Sequence, residues 1–152
     1  MKVIKITTNH TLLVTPLGDR LYRVGTPIKI TIATDEGTLV YSFKEGFITN
    51  FRSGGPLVDR FVDQIGDAEK AICYLVHDAA YTPCKACDGE HPISKALADT
   101  ILRESLILAG MSKWKARIVY TIVYLFGDSA YEDDDNLTFA NSKLFSFEWR
   151  DK

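Results

Sequence analysis

The sequence predicts an α+β domain in which an N-terminal antiparallel β-rich half packs on three helices and a closing C-terminal strand returns to the sheet. Three observations carry this reading. Residues 1–50 are rich in Val, Ile, Thr and Tyr, broken at short intervals by turn residues, which is the composition of half-buried strands. Residues 67–127 repeat apolar side chains at helical spacing between capping and stop residues. Near the end, Phe145, Phe147 and Trp149 alternate with Ser146, Glu148 and Arg150, the period of a strand with one buried face.

Taken in order, strands are expected at Lys2–Ile6, Leu12–Thr15, Arg20–Val24, Ile28–Thr34 and Thr38–Phe43. Asp35-Glu36-Gly37 supplies a hairpin turn, with the glycine taking the positive φ that short loops need. Residues 51–66 read as a loop, because Gly54, Gly55 and Pro56 disfavour any regular element. Asp67 is placed to cap a first helix that runs to about Tyr81, where Pro83 stops it. A second helix is expected from Ile93 to Ala109, ended by Gly110, and a third from Ser112 to Phe126, ended by Gly127. The acidic run Glu132–Asp135 reads as a solvated loop, and 137–150 as the C-terminal strand segment.

With 152 residues, the chain has the length of one domain with a sizeable core. The balance of 18 basic against 20 acidic residues, formally −2, creates no general field for nucleic acid. The first ten residues lack the apolar core of a leader, and no apolar run reaches the roughly 18 residues of a spanning helix. Three cysteines, two of them in one CxxC pair, argue against a dense disulfide framework. A cytoplasmic setting is the expectation.

The candidate site lies on two helices. His77 shares a helical face with Cys73, Tyr74, Ala80 and Tyr81, and Asp99 lines up with Ala96, Leu102 and Leu106, so both polar groups point toward packed surface. If the two faces meet, the Asp99 carboxylate accepts a hydrogen bond from one ring nitrogen of His77 and leaves the other as a base. Asp78 projects about 100° away. There it can face the Gly54-Gly55 loop, where a hard cation such as calcium is held by carboxylate and backbone oxygens. The competing reading of the same residues is a core histidine satisfied by a structural carboxylate.

The residues quoted so far fall in an order that resembles the phage-associated domain of unknown function 1353 family. The resemblance rests on Gly46-Phe47-Ile48-Thr49-Asn50-Phe51-Arg52-Ser53, on His77-Asp78-Ala79-Ala80-Tyr81, on Ala98-Asp99, and on Trp114 through Tyr120 to Phe126-Gly127. Asn50 stands where the family loop usually has Asp, Arg52 replaces a small residue, and Gly54-Gly55 separates Ser53 from Pro56. The His-Asp-x-x-Tyr spacing with a distant Asp also resembles secretory phospholipase A2 enzymes. That second resemblance implies His77 as the water-activating base, Tyr81 and Asp99 as its orienting groups, and Asp78 as a calcium ligand. It places Asn50, Ser53, Gly54 and Gly55 in the binding loop.

Cys84, Cys87 and His91 have the spacing of a metal knuckle, with Cys73 as a fourth ligand for zinc; reduced cysteines in a loop are the alternative. The third helix is basic at its start and apolar afterwards, a pattern that predicts burial in the core, with membrane contact as the alternative. Its Tyr120 and Tyr124 are expected to bring hydroxyls to the polar centre.

Two functions follow. One is a phage or prophage hydrolase, acyl or phospholipase-like, built on the His77–Asp99 pair. The other is a non-catalytic virion or assembly component, or a factor that binds a host protein, in which the pair is structural. Either protein is expected in the cytoplasm of an infected host cell, and the second also in the virion.

Overall fold

A computed structural model describes residues 1–18, 21–49, 68–133 and 135–152. Two antiparallel sheets are followed by helices and a last strand. The strands are β1 (Val3–Thr8), β2 (Val14–Gly18), β3 (Leu21–Val24), β4 (Ile28–Thr34), β5 (Gly37–Phe43), β6 (Ile48–Thr49) and β7 (Phe145–Asp151). The described helices are α1 (Ala68–Ala80), α2 (Lys95–Leu108), α3 (Lys113–Phe126), α4 (Asp128–Tyr131) and α5 (Asn136–Ser142), with a 3₁₀ turn at Lys85–Cys87.

The larger sheet has the order β1-β4-β5-β7. The closing strand therefore pairs with β5, Phe43 opposite Phe145 and Tyr41 opposite Phe147. Alternation sets its buried face: Ile28, Ile30 and Ile32 on β4 and Leu39, Tyr41 and Phe43 on β5 enter one core with Tyr74, Leu75, Leu102, Leu106 and Val119 from the helices. The smaller sheet, β2-β3-β6, sends Val24 into the same core.

Four local expectations are corrected. Gly37 is needed for close approach, since a Cβ there would lie 2.7 Å from Trp149 Cζ2; its φ is not among the positive ones. A short strand, β6, forms at Ile48–Thr49, beyond the last strand expected in the N-terminal half, Thr38–Phe43. The acidic run is not simply loop: Asp135 Oδ1 accepts from Thr138 N at 2.8 Å and caps α5. The segment expected as C-terminal strand thus begins with a helix. Its residue Asn141 pairs with β6 through both amide groups, accepting from Ile48 N and donating to Ile48 O, each at 2.9 Å. The suggested Asp67 cap and the 51–66 loop lie outside the described residues.

Ser94 Oγ accepts from Leu97 N at 3.2 Å and starts α2. Gly110, at φ 102°, ends it, with Met111 N donating to Leu106 O at 2.9 Å. These stops place α1, α2 and α3 side by side around the polar residues described next.

Candidate functional site

His77 lies in the last turn of α1, and Asp99 sits one turn into α2. His77 Nε2 is 2.8 Å from Asp99 Oδ1, and Tyr81, one turn after His77, donates its hydroxyl to the same oxygen at 2.5 Å. Helical periodicity explains why His77 and Tyr81 reach one acceptor, because residues four apart stand over one another. Their rings lie 4.2 Å apart. The other carboxylate oxygen, Oδ2, accepts from Lys95 Nζ at 2.9 Å.

Lys95 escaped the reading of the sequence, although its i, i+4 spacing to Asp99 was a usable signal. Its ammonium also donates to the carbonyls of Val123 at 2.9 Å and Tyr124 at 3.2 Å, the open carbonyls near the end of α3. Asp128 approaches it at 3.5 Å from solvent. One cation thus joins the centre to the C-terminus of the third helix.

Tyr120 and Tyr124 do not bring hydroxyls to the centre among the described contacts. They stack on each other at 5.8 Å, and Tyr124 takes part through its backbone carbonyl. Gly127 completes the wall, since a Cβ there would lie 2.7 Å from Tyr81 Oη.

The centre is buried: His77 is 3 % exposed and Asp99 0 %. Burial, the largest influence on His77, pushes its pKa below the ordinary value, and Asp99 only partly offsets it. For Asp99 burial acts upward, but the hydrogen bonds from His77, Lys95 and Tyr81 outweigh it and hold the carboxyl below its usual range. Tyr81 is pushed up by burial and by its bond to the carboxylate. The resting state is therefore a neutral imidazole, an ionised Asp99 and a protonated Tyr81. With Nε2–H committed to the carboxylate, the ring lone pair is on Nδ1.

Asp78 faces elsewhere, as expected, and accepts a hydrogen bond from Thr49 Oγ1 of β6. This joins the Gly46–Thr49 segment to the His77-Asp78 helix, and Thr82 Oγ1 donates to the Asp78 carbonyl at 2.8 Å. The calcium expectation rests on Asp78 together with the loop that follows Thr49. Asn50, Ser53, Gly54 and Gly55 lie outside the described residues.

The zinc expectation is corrected. Cys84 and Cys87 are joined in a disulfide, so neither sulfur is a thiolate, and the alternative of reduced cysteines fails with it. His91 turns Nε2 to the Tyr131 carbonyl at 2.7 Å and stacks on that ring. Cys73 is buried, outside any disulfide, and its thiol donates to the Glu69 carbonyl at 3.3 Å. Among the described residues no cluster of three His, Cys, Asp or Glu side chains is placed to hold a metal.

A family profile described as protein of unknown function, DUF1353, matches residues 27–123, well over half of the chain. The chain belongs to the DUF1353 family. The match begins just before β4 and ends within α3, so it includes His77, Tyr81, Lys95 and Asp99. No curated protein and no solved structure matches the chain.

Proposed function

We propose that this DUF1353 protein is a phage or prophage hydrolase that cleaves acyl esters, with His77 as general base and Asp99 and Tyr81 as positioning residues. The 2.8 Å bond from His77 Nε2 to an ionised, buried Asp99 carries the reading. It sets the tautomer, orients the ring and offers a counter-charge to the imidazolium formed when the base takes a proton. In the reaction His77 Nδ1 accepts a proton from water and the oxygen attacks the ester carbonyl. The C–O bond then breaks and the same proton passes to the leaving alkoxide, giving acid and alcohol. With its pKa lowered by burial, His77 is neutral and ready for this at neutral pH. The phage origin and a setting in the infected cell's cytoplasm rest on the family resemblance alone.

The burial of both groups and the three donors on Asp99 favour a second reading, a non-catalytic virion, assembly or host-binding protein in which the network clamps α1 to α2. Purified protein incubated with 4-nitrophenyl butyrate and with phosphatidylglycerol vesicles separates the two. The hydrolase reading expects turnover that His77→Ala abolishes while the circular dichroism spectrum is retained. Absence of turnover on both probes, together with a lowered melting temperature in His77→Ala, supports the clamp and overturns the enzyme.

A further inference from the structure

The third helix departs from its expected burial. Only Ala116, Val119 and Val123 of α3 are fully buried, whereas Trp114 is 58 % and Phe126 67 % exposed. We propose that the groove between α2 and α3 docks the protein peripherally on an anionic lipid surface. The groove, about 800 Å³, has an apolar lining of Ile107, Trp114, Ile118 and Ile122, and its cations are Arg103, Lys113 and Arg117.

Charge complementarity selects the occupant. The whole chain is formally −2, yet α3 carries Lys113, Lys115 and Arg117 and no carboxylate. Arg103 is paired with Glu104 at 3.1 Å, which leaves the cations of α3 to meet an outside anion. A second copy is a poor fit, because a two-fold contact through this groove would set Lys113 and Arg117 against themselves without an acidic partner.

A lipid interface meets both needs of the face. Tryptophan settles at the headgroup level with its ring toward the acyl chains, and Lys and Arg keep their charge among the phosphates while their stems stay apolar. Lys115 Nζ lies 5.5 Å from the Trp114 ring, so cation and aromatic already sit together. Beyond the far end of α3, the exposed carboxylates of Asp128, Glu132 and Asp133 repel an anionic surface, so the first two turns make the contact. Among the described residues no helix is long and apolar enough to cross a membrane, and the attachment is to the surface only. This docking stands whether or not His77 is catalytic.

The test is co-sedimentation of the full chain with vesicles of phosphatidylcholine alone or mixed with phosphatidylglycerol, with tryptophan emission recorded in parallel. Binding is expected only to the mixed vesicles, with a blue shift that Trp114→Phe removes against the constant background of Trp149. Added salt should weaken it. The double variant Lys113→Gln/Arg117→Gln changes two exposed side chains and should lower the partition coefficient at least about tenfold. No binding to either vesicle, equal binding to phosphatidylcholine alone, or a double variant that folds and binds as well as the parent would each overturn the proposal. So would a concentration-dependent dimer that Trp114→Ala abolishes.

Discussion

Lys95→Met is the most informative perturbation of the centre, because this one ammonium serves Asp99 and two α3 carbonyls at once. Methionine keeps the length of the stem and its packing but removes the charge and all three hydrogen bonds. A hydrogen bond to a charged group contributes about 1.5–3 kcal/mol, and cation contacts at a helix C-terminus add about 0.3–1 kcal/mol. Asp99 is 0 % exposed and retains the donors of His77 and Tyr81, so the loss falls short of the roughly 3–5 kcal/mol of a buried charge stripped of its only partner. The expected destabilisation is about 2–4 kcal/mol, which for a chain of this size lowers the melting temperature by on the order of 10 °C.

The same substitution has a second readout that a generic packing defect would not produce. Burial dominates the lowered pKa of His77, Asp99 opposes it, and the Lys95 charge adds to it. Removing Lys95 therefore moves the His77 pKa upward, and Asp99→Asn moves it further down. Imidazole titration followed by NMR, assigned among three histidines, reads both directions. A Lys95→Met protein whose melting temperature stays within a degree of the parent, or whose His77 pKa does not rise, would refute the shared network.

Three other outcomes are expected. Gly127→Ala, whose Cβ would lie 2.7 Å from Tyr81 Oη and closer still to the Val123 carbonyl oxygen, should destabilise by about 1–3 kcal/mol, most of it retained in a Tyr81→Phe background because the nearer clash is with backbone; a melting temperature unchanged from the parent would count against this close packing. Because folded His77 titrates below its ordinary 6.5, the unfolded chain takes up a proton first as pH falls through 6.5. Stability should therefore decline from there down to the folded pKa, with a second decline below 3.8 as Asp99, also lowered, approaches its folded value. His77→Gln should abolish the first step in a urea-midpoint series and, because His77 is one of the three donors that lower Asp99, should also alter the second. Reduction of the Cys84–Cys87 bond should cost about 1–2 kcal/mol, the closure entropy of so short a loop, and an unchanged urea midpoint in dithiothreitol would count against that bond.

The fold class was legible because it depends on periodicities written into adjacent residues. Strand alternation in β4, β5 and β7 and the stops at Gly110 and Gly127 act over a turn or a few residues, where propensity and pattern agree. The pairing of His77, Tyr81 and Asp99 was legible for a related reason: two helical faces with a short connection leave few ways to meet, and each polar group needed a buried partner.

Tertiary structure decided what depends on distance through space. The i, i+4 step from Lys95 to Asp99 was local, but its link to the Val123 and Tyr124 carbonyls joins separate helices and leaves no sequence period. Asn141 completing the edge of β6 spans 93 residues. Gly37 looked like a turn glycine, yet the Trp149 ring across the sheet is what excludes a side chain there. Composition could not tell a buried α3 from one that exposes Trp114, because hydropathy states what a face would favour and only packing states whether a partner covers it. Local chemistry chose the elements; the long-range contacts determined which polar groups share a site and which apolar face remains open.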